Sequence, residues 1–153
     1  MKMPAHASVV RRRGGLWLAL IGSLISAQPS RAAAGEPAVQ RVVALTKYPP
    51  VAHAAGLQGR IEIVVSINPD GSVKTTSLKS GPGVFAWDAR QVLSKWQFSR
   101  CESDCGIRET FVTFVFELKG DCHVYECPVD FEVDLSNGVK VTVRSQHQRT
   151  PIT

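Results

Sequence analysis

The residues with the most potential for chemistry are four cysteines. Cys101 and Cys105 have three residues between them, Cys122 and Cys127 have four, and His123 stands beside the second pair. Four thiolates, or a Cys/His set, could hold zinc within loose spacing limits, and the same residues could close two disulfides. Neither pair is Cys-x-x-Cys, so a thioredoxin-like redox role has no local support. The carboxylates Asp88, Glu109, Asp121 and Glu126 could serve acid–base work, yet no Ser/His/Asp or paired-carboxylate pattern sets them apart from a solvated surface. His53 is a lone histidine without a second ligand nearby in sequence, and is expected on the surface of a short helical turn. Gly81-Pro82-Gly83 is too short, and too proline-bound, to cradle phosphate. Trp87 and Trp96 could stack a ligand, but nine residues of helix place them on skewed faces, so Trp96 is expected in the core. Catalysis therefore lacks an activated group: the expectation is a protein that is not an enzyme, with no cofactor and no metal.

The cellular address decides between zinc and disulfides. Arg11, Arg12 and Arg13 precede an apolar run from Gly14 to Ala27, and Ala32-Ala33-Ala34 offers a small-residue cleavage site. That run is shorter than the roughly 20 apolar residues a membrane-spanning helix needs. Residues 1–34 are therefore expected to be a cleaved signal peptide, with membrane contact only if the leader is retained as an anchor. Export to an oxidising compartment makes disulfides the default. The formal charge of +5 is also a property of the leader: five of the 18 basic residues precede Gly35, and all 13 acidic residues follow it. The remaining chain is balanced, which removes the concentrated basic footprint that nucleic acid binding requires.

Four cysteines allow three connectivities, and the length of one strand bears on the choice. Ile107 to Lys119 reads as one extended strand, spanning roughly 40 Å at about 3.3 Å per residue. Bridged Cα atoms must approach within about 7 Å. With that strand straight, the expected pairs are Cys101–Cys105 and Cys122–Cys127, local staples that pin turns more than they stabilise the whole.

The elements follow from periodicity. Pro49-Pro50 leading into Val51 to Ala55, closed by Gly56, predicts one or two helical turns. Ile61, Ile63, Val65 and Ile67 alternate with polar residues in a half-buried strand. Asn68-Pro69-Asp70-Gly71 is a turn; a four-residue loop pairs Ile63 with Thr76 and Ile61 with Leu78, and the broken parity at Val73 predicts a bulge. Phe85, Ala89, Val92, Leu93 and Trp96 recur at helical spacing, predicting a helix over Val84 to Gln97. The third strand, Ile107 to Leu118, carries apolar residues on both faces near its middle, as a central or covered strand does. In the last hairpin a three-residue loop, Ser136 to Gly138, keeps the apolar sets on one face by pairing Leu135 with Val139, Val133 with Val141 and Phe131 with Val143.

Tyr48-Pro49, the Ala54-x-Gly56-x-x-Gly59 spacing, the "IEIVVSINPDGSV" hairpin with Pro69, Asp70 and Gly71, and the helix ending "LSKWQF" with Trp96 and Phe98 together resemble the TonB C-terminal domain family. The resemblance covers residues 44–119, after a lead-in at 35–43, and leaves a disulfide and hairpin extension at 120–145 and a tail at 146–153. It implies an α+β fold: short helix, β-hairpin, amphipathic helix and third strand in an antiparallel sheet. It also implies a periplasmic interaction module. Proteins of that family link an inner-membrane motor to outer-membrane transporters, and the domain takes a transporter segment as an added strand beside its third strand. Carried onto this chain, the partner-binding residues are Phe111, Val112, Thr113, Phe114, Val115 and Phe116, and the partner is an envelope protein such as an outer-membrane transporter.

Three departures leave alternatives open. The leader looks removable, Gly35 to Lys47 reaches only about 40 Å when fully extended, and the Asp121 to Ser145 hairpin follows directly on the third strand, where a consecutive antiparallel strand would pair. That hairpin either caps the edge, acts as a displaceable lid or presents an edge of its own. The readings are thus a strand-adding envelope module, a short TonB-type transducer component, or a self-capped structural domain.

Overall fold

The computed structural model describes residues 36–149. The signal-peptide assignment, residues 1–34, lies outside them. The elements in chain order are β1 (Val39–Arg41), α1 (Pro50–Ala54), β2 (Gly59–Ile67), β3 (Val73–Ser80), a 3-10 turn (Gly83–Phe85) running into α2 (Ala86–Leu93), β4 (Gln97–Phe98), β5 (Arg108–Cys122), β6 (Asp130–Asp134) and β7 (Val139–Gln148). Five strands form one sheet in the order β3-β2-β5-β7-β6, and β1 and β4 form a separate two-stranded ribbon. The fold is α+β, as expected.

Alternation decides which face of the sheet is buried. Ile61, Ile63, Val65 and Ile67 on β2, Val112, Phe114, Phe116 and Leu118 on β5, and Val141 and Val143 on β7 all point inward. Phe85, Ala89 and Leu93 close over them from the helical side, together with Trp96 and Phe98. Phe85 stacks on Phe116 at a centroid distance of 4.4 Å, and Tyr48 meets Phe116 edge-on at 5.6 Å.

The Tyr-Pro entry has a physical reason. Tyr48 is 4% exposed, and its hydroxyl donates to the Leu57 carbonyl at 2.8 Å. Pro49 caps α1 and Pro50 occupies its first turn, where no amide hydrogen is needed. His53, expected on the surface, clips this turn to the sheet: its Nε2 lies 2.7 Å from the Gln146 carbonyl on β7, which can only accept.

Several expectations are corrected. The sheet is mixed rather than antiparallel, because β5 and β7 pair in parallel, Phe114 with Val141 and Phe116 with Val143. The hairpin's first strand does not pair with β5; β7 inserts between β5 and β6. The longer strand, with Val139, Val141 and Val143 in alternation, gains more from the interior position, while the five-residue β6 with its three carboxylates suits an edge. Within the hairpin the predicted register holds, with Phe131 on Val143, Val133 on Val141 and Gly138 at φ +90°. β7 runs to Gln148, so the residues read as a tail begin inside a strand.

The β2–β3 register also differs. Ile63 faces Leu78 and Val65 faces Thr76, because the loop is one residue longer than expected and a register shift follows between Ser66 and Ile67. The bulge inferred from Val73 therefore exists, and it moves the pairing further along the strand. The helix is shorter than Val84 to Gln97: the chain leaves it near Ser94 so that the Trp96 indole can donate to the Val43 carbonyl at 3.0 Å and the Phe98 amide to the Gly71 carbonyl at 2.8 Å. Gln97–Phe98 then pairs with Val39–Arg41, giving the lead-in a strand that its sequence did not announce.

Candidate functional site

Phe111 to Phe116 lies in the middle of the sheet. β2 pairs along one side of it, from Val64 on Phe111 to Gly59 on Phe116, and β7 along the other, from Val139 on Val112 to Val143 on Phe116. From Val112 to Phe116 the third strand is paired on both sides in this structure, so the C-terminal hairpin occupies the edge these residues were expected to offer. Val112, Phe114 and Phe116 are core residues, whereas Phe111 is 47% exposed on the outer face, with the Lys79 ammonium 4.1 Å from its ring centroid.

Among the described residues the edges of the sheet without a paired strand belong to β3 and β6. On β6, Asp130 and Glu132 both contact Arg144 Nη1, at 3.2 and 2.8 Å, and Arg144 Nε reaches Glu117 at 3.2 Å. Hydrogen bonds from Lys119 and Arg144 hold the Glu117 carboxyl below the usual carboxylate range. Asp134 is likewise lowered, by the hydrogen bond from Ser136. β6 is thus a short, acid-lined edge tied to its neighbour.

β3 is longer and carries no carboxylate. α2 lies over it, fixed by a hydrogen bond of 3.2 Å from Arg90 Nε to the Thr76 hydroxyl. Trp87 stands three residues before Arg90 on the same helix and is 67% exposed, while Trp96 is buried as expected. Lys79 reaches Glu62 on β2 at 3.3 Å.

The Asn68 to Gly71 turn is a structural anchor. Asp70 Oδ1 accepts from both the amide and the hydroxyl of Ser72, at 2.9 and 2.6 Å, and those bonds lower its pKa. The Pro69 carbonyl accepts from the Cys101 amide, so the turn also holds the start of the first cysteine loop. Gly71 sits at φ +88°, and a Cβ there would collide with the Phe98 carbonyl. Gly59 permits close approach of Phe85, 3.0 Å from where a Cβ would lie.

The cysteines pair locally, Cys101 with Cys105 and Cys122 with Cys127, at Cα separations of 6.3 and 5.8 Å. The four carboxylates considered for chemistry do not converge. Asp121 pairs with Arg149 at 3.1 Å, Glu126 with Lys47 at 2.6 Å, and Glu109 accepts from the Ser66 hydroxyl at 3.3 Å. Asp88 lies on α2, where burial raises its pKa. Among the described residues no three His, Cys, Asp or Glu side chains form a group that could hold a metal ion. A concavity of about 470 Å³ lies between α1 and the Cys122–Cys127 loop, lined by His53, His123, Tyr125 and Gln148 among others.

A hairpin, a helix laid over it and a third strand, with open outer edges and no converging acid–base set, define a small α+β sheet module. Residues 45–118 match the family model for the Gram-negative bacterial TonB protein C-terminal, and the chain carries a TonB C-terminal-like domain over those residues. A solution NMR structure of the Pseudomonas aeruginosa TonB C-terminal domain is similar at 22% identity, covering 53% of this chain and 85% of that one, with a TM-score of 0.43. No curated protein matches the chain. Among the described residues no helix is long and apolar enough to cross a membrane.

Proposed function

We propose that this chain is a periplasmic protein-interaction module of the cell envelope, not an enzyme, and that it takes an extended segment of a partner protein as an added strand. The observation that carries this reading is a TonB C-terminal-like domain whose five-stranded sheet ends in open backbone edges. Strand addition draws affinity from main-chain hydrogen bonds and selectivity from alternate side chains. The partner is an envelope protein, with an outer-membrane transporter segment as the natural class. The experiment is an amide chemical-shift titration of residues 35–153 with an extended transporter-type peptide. Shifts grouped along one strand support the reading; none at millimolar peptide would leave the self-capped structural domain in its place.

A second reading is favoured by one observation. The family match ends at residue 118, so the β6–β7 hairpin that covers β5 lies outside it. In that reading the hairpin is a lid, and a partner displaces β7 to reach Phe111 to Phe116 as a TonB-type transducer component would require. Its signature in the same titration is loss of the β7 amide signals together with shifts on Phe111 to Phe116.

A further inference from the structure

Of the two open edges, β3 is the better prepared for a guest strand. It has eight residues against five on β6, about 26 Å of backbone against about 17 Å at 3.3 Å per residue, and it contains no proline and no carboxylate. β6 is guarded by Asp130, Glu132 and Asp134. The difference is reinforced by α2. The Arg90–Thr76 hydrogen bond identifies the flank of the helix beside β3, and Trp87, one turn earlier and exposed, is the neighbouring position on that flank. The helix therefore carries an exposed indole and a guanidinium along the margin of the inner sheet face. On the outer face Lys79 stands over Phe111, and Lys74 lies on the same strand. The charged groups on β3, Lys74 and Lys79, are both basic; α2 adds Arg90 and Asp88, and Glu62 on β2 lies 3.3 Å from Lys79.

We propose that the partner strand enters at the β3 edge, alongside Trp87, and that it carries apolar side chains on the inner face, toward Trp87, and acidic side chains on the opposite, outer face, where they meet Lys79, with Lys74 on the same strand. This rests on the strand-addition reading and names its edge and its chemistry. An exposed tryptophan beside an open strand is the kind of group that dominates interface energetics once covered, because it buries a large rigid surface at little entropic cost. A second copy of this chain is a poorer occupant, since its own β3 would bring lysines to an edge that already holds them.

The test uses residues 35–153, which contain the whole described core, and two ten-residue probe peptides, one alternating valine with glutamate and one alternating valine with lysine. The valine/glutamate peptide is expected to shift amides from Val73 to Ser80 and the Trp87 indole, to bind at least tenfold tighter than the valine/lysine peptide, and to leave the protein monomeric in sedimentation. Trp87→Ala should weaken it about tenfold with the buried Trp96 signal unchanged, which shows the variant to be folded. Lys74→Glu with Lys79→Glu should reverse the preference between the peptides. Four results overturn the proposal. Shifts confined to Asp130–Asp134 with the lysine peptide would move strand addition to β6, shifts on Phe111 to Phe116 with loss of β7 signals would move it to β5, and self-association through β3 would make a second copy the occupant. Absence of any response to either peptide would remove strand addition altogether.

Discussion

Whether β7 is a core strand or a lid is decided by what Val143 contributes. Val143 is fully buried, opposite Phe116 on β5 and Phe131 on β6. Val143→Ala removes two methyl groups, about 1.6 kcal/mol of transfer free energy at ~0.8 kcal/mol each, and the cavity term brings the expected cost to about 2–3 kcal/mol. With an m value of about 1.5 kcal/mol/M for a domain of this size, the urea midpoint should fall by roughly 1.5 M. The assay follows Trp96 fluorescence, which sits in the core and away from β7 in the chain, together with hydrogen exchange on the β7 and β2 amides. If β7 belongs to one cooperative unit, both probes report the same loss. A Trp96 midpoint that stays in place while protection falls only on β7 would refute a single cooperative unit. That result would mean β7 opens on its own, and the covered edge of Phe111 to Phe116 would become accessible at modest cost.

Other outcomes follow from the local geometry. Gly71→Ala should destabilise the domain by about 2–4 kcal/mol in thermal or urea unfolding, because φ +88° disfavours a side chain and the new Cβ collides with the Phe98 carbonyl. Tyr48 has its pKa pushed up to about 12, chiefly by burial, from an ordinary value of 10. The folded state therefore holds this proton more tightly, so the contribution is complete below pH 10 and disappears as pH rises through about 12. It amounts to about 3 kcal/mol at ~1.4 kcal/mol per unit, and Tyr48→Phe should remove this alkaline slope while costing about 1 kcal/mol at neutral pH for the lost bond to the Leu57 carbonyl. A thiol titration of the oxidised, unfolded chain should find no free cysteine; four reactive thiols accompanied by zinc would reverse the disulfide assignment.

Much of this molecule was legible in its residues, since the information was local. Period-two alternation over Ile61 to Ile67, the apolar spacing from Phe85 to Leu93, the Asn-Pro-Asp-Gly turn and the three-residue loop closed by Gly138 each carry their own signal within one or two turns of chain. The local cysteine pairing also followed, because one long strand keeps the two pairs apart. What only the tertiary structure decided is non-local. The parallel placement of β7 between β5 and β6 depends on comparing two strands for one interior position, and no window of sequence contains both candidates and the edge they compete for. The pairing of Val39–Arg41 with Gln97–Phe98 and the clip from His53 to Gln146 are likewise set by packing between distant segments. The third strand was therefore legible in the sequence as an element, whereas the pairing along its second side was decided by residues that follow it in the chain.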